Sequence, residues 1–232
     1  MTNRLILLPG MDGSGQLFDS FVSQLRQLKP TVMALPQSGP QSYEHLATII
    51  SDQLPSEPYY LLAESFSGGI VAQLNKEALS SCKAIVFVAS FLQSPCPSAV
   101  KLAQHFPIHF LAKFPLSTLV HKLLFLGPYA PKGIIEDFKT AIEKVPESTL
   151  KARLQVIYNS KLPGGAIDIP AVYINPTSDR LVNDGHAEDF KKVHSNLKVI
   201  DIEGPHFILQ AKPLECAKLI ELAVKKIKEL DE

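Results

Sequence analysis

Strand-length runs with no polar break, Leu5 to Leu8, Tyr59 to Ala63 and Ala84 to Ala89, recur in this chain between stretches whose apolar residues fall three and four apart. A strand with one wet face alternates apolar and polar side chains, so an unbroken run belongs to a strand covered on both faces. Helices supply the cover. The alternation predicts an α/β fold: a doubly wound, mainly six-stranded parallel sheet with helices on both faces.

Taken in order, Leu5 to Leu8 ends on Pro9-Gly10-Met11-Asp12-Gly13-Ser14-Gly15, a glycine-rich loop. Leu17, Phe18, Phe21, Val22, Leu25 and Leu28 predict a helix that Pro30 ends, and Thr31 to Leu35 reads as a second strand. Ser42 caps a helix with the buried stripe Leu46, Ile49, Ile50 and Leu54. Tyr59 to Ala63 is the third strand, Ile70, Val71, Leu74 and Ala78 carry the next helix, and Ala84 to Ala89 is the fourth strand. After an interruption come strand Ala171 to Asn175, a helix from about Gly185 to His194, strand Lys198 to Ile202 and a terminal helix Phe207 to Leu230.

The interruption, 91–163, has prolines at 95, 97, 107, 115, 128, 131 and 146, and helical patches at Leu116 to Leu126 and Ile134 to Val145. It reads as a helical cap inserted into a core made of 1–90 and 164–232. Its Phe and Leu content predicts an apolar wall over a pocket, with Phe91, Phe110, Phe114 and Leu119 as candidate substrate contacts. Packing of the insertion onto the core is the competing use of such residues.

Composition narrows the functional classes. With 232 residues, 46% of them hydrophobic, the chain can bury one sizeable core, and a single domain with an insertion is expected. Lys plus Arg equals Asp plus Glu at 23 each, with no long run of like charge, which argues against a nucleic-acid partner. Cys82, Cys96 and Cys216 are odd in number and widely spaced, which supports neither a disulfide framework nor a zinc knuckle. His105 and His109 have metal-like spacing, but Pro107 between them breaks the helix that would align them, and no metal or other cofactor is expected. The apolar start is too short for a signal-peptide core or a membrane span, so a cytoplasmic protein without an integral membrane segment is expected. Oligomeric state is not legible.

Reactive groups collect just after strands, where an open parallel sheet gathers its ligands. Ser65 follows the third strand within Ala63-Glu64-Ser65-Phe66-Ser67-Gly68-Gly69; Asp179 follows the fifth; His206 follows the sixth in Gly204-Pro205-His206. A serine at the apex of a tight strand-to-helix turn is raised above the sheet, and small residues two positions either side, here Ala63 and Ser67, let the chains pass. Serine hydroxyls are un-ionised at neutral pH and need a base, and the base needs a carboxylate to fix its tautomer. An oxyanion hole is available from the Pro9-Gly10-Met11 loop and the N–H of Phe66. A Ser-rich turn with Ser65 as a helix N-cap gives much the same local pattern.

These segments make the chain resemble the α/β-hydrolase superfamily over essentially its whole length, close to a minimal form that begins at LILLPGMDGSG. The resemblance implies Ser65 as nucleophile, Asp179 as acid, His206 as base, the amide of Met11 as second oxyanion donor and 91–163 as the lid. The LPGMDGSG and ESFSGG segments are also similar to the esterase-like domain of plant plastid phytyl ester synthases, an acyltransferase group. The expected substrate is a small-molecule ester or thioester with an uncharged, largely apolar acyl group. Acyl transfer and a silent binding protein of the same fold are the alternatives. Asp184, Asp168 and Asp201 compete for the acid role, although Asp201 lies inside a strand and Asp168 precedes one. Glu64 either orients the elbow, faces the pocket or is exposed to solvent, Asp12 reads as a turn former with substrate contact as the lesser alternative, and Cys96 as inert.

Overall fold

The computed structural model describes residues 3–103, 126–127, 133–183 and 185–231. Six strands form one all-parallel sheet: β1 (Arg4–Leu8), β2 (Lys29–Val32), β3 (Tyr59–Glu64), β4 (Cys82–Val88), β5 (Ala171–Pro176) and β6 (Leu197–Ile202). Their order across the sheet is β2-β1-β3-β4-β5-β6. The expected six-stranded parallel architecture is therefore present.

Strand alternation splits the core into two layers. Leu5, Leu7, Leu62, Val86 and Ile174 face one side, covered by α1 (Asp19–Val22), α8 (Ile208–Ala211) and α9 (Pro213–Asp231). Ile6, Leu8, Leu61, Phe87 and Tyr173 face the other, covered by α2 (Tyr43–Ser51), α3 (Ser67–Val71) and α7 (Gly185–Val193). Leu5 to Leu8 are at most 1% exposed, and each such side chain contributes roughly 1.5–3 kcal/mol by leaving water. The remaining helices, α4 (Pro97–Ala103), α5 (Ile134–Lys144) and α6 (Glu147–Asn159), lie between β4 and β5 in sequence. Ile134, Phe138 and Ile142 of α5 form a third cluster with Leu17 and Phe207.

Four local expectations need correction. The helix expected over Leu17 to Leu28 is only a 3₁₀ turn, Gln16–Phe18, followed by α1, because the later leucines pack as a winding loop. The second strand starts at Lys29 and includes Pro30, which a sheet tolerates because β2 is an edge strand. The helix after Ser65 ends at Val71. The terminal helix is two, α8 and α9, separated at Lys212, because Pro213 brings no N–H and opens a new first turn. Ser42 does cap α2, accepting from the His45 amide at 3.2 Å. Most of the helical patch expected at Leu116 to Leu126 lies outside the described residues. No helix among the described residues is long and apolar enough to cross a membrane.

Candidate active site

The turn from β3 to α3 holds Ser65 at φ 51°, one of two non-glycine residues in left-handed backbone among those described. A residue in this region costs on the order of 1–3 kcal/mol, which the surroundings must offset. They do so by fixing both sides of the turn. The Ser65 amide donates to the Val88 carbonyl at 2.9 Å, and the Gly68 amide returns to the Ser65 carbonyl at 3.1 Å. Ser67 donates its hydroxyl to the Pro9 carbonyl, tying the turn to the loop after β1. A Cβ on Gly68 would lie 2.7 Å from the Ser90 Cβ, and one on Gly69 would enter the Tyr43 ring. Those two glycines thus allow α3 to sit directly against Ser90, just past β4, and against α2.

Asp179 and His206 reach the same point from the ends of β5 and β6. The two loops are joined by backbone bonds, Thr177 to Ile202 at 2.9 Å and Ser178 to Gly204 at 2.9 Å. His206 Nε2 is 3.0 Å from Ser65 Oγ, and His206 Nδ1 is 2.7 Å from Asp179 Oδ2. The other carboxylate oxygen of Asp179 accepts from the amides of Leu181 at 2.8 Å and Val182 at 2.9 Å. With both oxygens so held, Asp179 accepts a hydrogen bond from Nδ1–H, which leaves Nε2 as the acceptor facing the serine hydroxyl. Burial of His206 disfavours the charged imidazolium, but the charge and hydrogen bond of Asp179, with the charge of Glu64, outweigh it and raise the pKa.

The loop after β1 runs past Ser65. A Cβ on Gly10 would lie in ordinary contact, 3.7 Å from that of Ser65, and Gly10 and Met11 line the adjoining cavity. Arg153 of α6, fully buried, holds this loop from behind. Its Nη1 donates to the Met11 carbonyl at 2.7 Å, Nη2 to the Pro36 carbonyl at 2.8 Å and Nε to Gln41 Oε1 at 2.9 Å. The amides of Met11 and Phe66 have no hydrogen-bond partner among the described residues.

The cavity beside Ser65 measures about 250 Å³ and is lined largely by apolar side chains, including Phe91, Val100, Phe138, Ile142 and Leu154. Its polar lining consists of Ser65, His206, Asp12, Glu64 and Cys96. Phe91 is thus placed on the cavity wall, while Phe110, Phe114, Leu119, His105, His109 and Asp184 lie outside the described residues. Asp168 is occupied with Ser195 and Asn196, and Asp201 with Asn175, so neither is hydrogen-bonded to His206. Asp12 closes the turn through the amide and hydroxyl of Ser14, yet also borders the cavity.

Glu64 is not solvated. It is 4% exposed at the end of β3 and accepts from Gln210 Nε2 at 3.0 Å. Burial pushes its carboxyl up to about 7, and the charge of Asp12 acts in the same direction, whereas the Gln210 hydrogen bond and His206 oppose it. Nothing local in the sequence marks Gln210 as a partner of Glu64. A signal for Arg153 does exist: it falls on the apolar stripe of Leu150, Leu154 and Ile157.

The chain's sequence matches no protein-family model and no curated protein. Its fold matches many solved structures. A lipase-esterase related protein from Clostridium acetobutylicum shares 16% identity at a TM-score of 0.75, covering 94% of this chain and 93% of that one. The enol-lactonase from Burkholderia xenovorans shares 12% at 0.79, covering 97% and 92%. An esterase from Exiguobacterium antarcticum shares 15% at 0.76, covering 97% and 92%. The chain has the α/β-hydrolase fold, and at these identities the likeness speaks for the fold alone.

Proposed function

We propose that this protein is a serine hydrolase that cleaves a carboxylic ester or thioester of an apolar acyl group. One observation carries the reading: the unbroken line Asp179–His206–Ser65, with spacings of 2.7 and 3.0 Å, ends at the wall of an apolar cavity. In this reading Ser65 Oγ attacks the carbonyl carbon while His206 Nε2 takes its proton, and Asp179 holds the imidazolium that forms. The carbonyl oxygen turns toward the unpartnered amides of Met11 and Phe66, which stabilise its developing charge. His206 then returns the proton to the departing alcohol or thiol, leaving an acyl-Ser65 ester. Water, activated by the same imidazole, hydrolyses that ester.

Segment 91–163 serves as the cap. Pro95, Val100 and Ala103 from its start, and Phe138 and Ile142 from α5, contribute to the cavity wall. The hydrolytic names of the structural neighbours, two esterase-related proteins and an enol-lactonase, agree with this chemistry. The apolar wall also favours a second reading, in which an alcohol replaces water and the enzyme transfers the acyl group.

Ser65→Ala tests the proposal. With a p-nitrophenyl ester of a medium-chain acid, kcat should fall by roughly 10⁴-fold or more while the fold persists. Labelling by a fluorophosphonate probe should disappear in the same variant. Undiminished hydrolysis by Ser65→Ala sinks the mechanism, and adding a long-chain alcohol to the wild-type assay separates transfer from hydrolysis by product partition.

A further inference from the structure

Among the described residues, the charge on the cavity lining is one-sided. Two carboxylates, Glu64 and Asp12, border it, and no lysine or arginine is among its lining residues as described. Composition does not impose this bias, because acids and bases balance at 23 each over the chain. Asp12 is committed to Ser14 in its turn. Glu64 is different: among the described residues its side-chain hydrogen bond comes from the neutral, buried Gln210 amide and no lysine or arginine pairs with it, the one cationic group that acts on it being the His206 imidazolium.

A buried carboxylate that only stabilised the fold would be expected to have a cation or several donors around it. Glu64 instead sits beside Ser65 among the residues that line the cavity, its carboxylate bonded to Gln210. We propose that Glu64 is the specificity-determining residue of this pocket, barring substrates whose acyl or alcohol part carries a negative charge. The inference rests on the cavity being the substrate site, and it adds a charge filter to the apolar selectivity proposed above. Burial in an apolar wall disfavours any ion, but that penalty treats anions and cations alike. Glu64 adds a signed component: two like charges about 6 Å apart repel by an amount worth on the order of 100-fold in binding at an effective dielectric near 20.

The signed component allows a test that does not depend on turnover. Kd values are measured by calorimetry for hexanamide and the length-matched glutaramate, which keeps the amide head and carries a carboxylate at the far end of its acyl chain, with wild type and Glu64→Gln, at pH 8, where Glu64 is mostly ionised. The carboxamide keeps the shape and the Gln210 contact while removing the charge. Wild type should bind glutaramate at least 100-fold more weakly than hexanamide, and Glu64→Gln should narrow that gap at least tenfold, leaving the residue of it to Asp12 and the apolar wall. An unchanged gap in Glu64→Gln overturns the proposal and assigns the selectivity to desolvation alone. Failure of both proteins to bind either ligand also overturns it, since the cavity is then not the acyl site. The corresponding kinetic pair, p-nitrophenyl butyrate against mono-p-nitrophenyl succinate, should show the same narrowing in kcat/KM. Loss of the Ser65 reading would appear separately, as undiminished turnover of the neutral ester by Ser65→Ala.

Discussion

His206 shows how single-residue electrostatics set the working range. Its imidazolium is favoured by Asp179 and Glu64 over the opposing effect of burial, so its pKa stands above the ordinary 6.5. The charged form cannot accept the Ser65 proton. Activity should therefore be low in acid and rise as pH climbs through a midpoint above 6.5, where the neutral base appears. Glu64 titrates near 7, so the limb reports the two groups together. Asp179→Asn removes the main charge holding the proton on His206; the midpoint should move to lower pH and kcat should drop about 10⁴-fold with the tautomer no longer fixed. A kcat/KM profile from pH 5 to 9 checks both, and an unmoved midpoint argues against Asp179 as the partner. The same sign governs folding: this group stabilises the native state below its unfolded pKa, and that contribution is lost as pH rises through the folded one. The positions of Ser65, Asp179 and His206 were legible because each follows a strand. The burial of Glu64 was not, because its partner Gln210 lies 146 positions away and a glutamate beside a turn ordinarily reads as wet.

At the scale of elements, the β3–α3 turn depends on closeness of approach. A methyl group on Gly69 would enter the Tyr43 ring of α2, so Gly69→Ala should destabilise the protein by about 1–3 kcal/mol. Tyr43→Leu in the same chain should recover part of that loss. The Tyr43 hydroxyl is buried with no hydrogen-bond partner among the described residues, so its removal costs no bond. Urea denaturation of the single and double variants measures the cycle, and additive losses would exclude the ring as the obstacle. Elements whose signal is local were readable in this way: β1, β3 and β4 from unbroken apolar runs, α2 from its serine cap. Those decided by tertiary packing were not. The stretch after Val22 has helical spacing yet follows the core as a loop, and α6 escaped notice because a buried arginine interrupts its apolar stripe.

For the whole molecule, Arg153 is the joint between the 91–163 segment and the sheet. One guanidinium satisfies Met11, Pro36 and Gln41, three acceptors on the loops following β1 and β2. Lysine is charged but has no planar fork, so Arg153→Lys should leave at least one acceptor unpaired, at about 1–3 kcal/mol for each group stranded. A melting temperature lower by roughly 2–4 °C per kcal/mol should accompany a reduced kcat, because the Met11 amide loses its support. Wild-type values for both quantities would show that the joint is dispensable.

Ser65 and His206 are separated by 141 positions, and the contact between them closes only when β6 has joined the far edge of the sheet. Such long-range parallel pairing is slow, because the chain entropy of closing the loop is lost before the contact forms. A chain still on the ribosome can thus complete its β3–α3 turn well before residue 206 emerges, holding the serine with no base in reach. Under the proposed mechanism, the order of synthesis keeps Ser65 without its base until the rest of the molecule has folded around it.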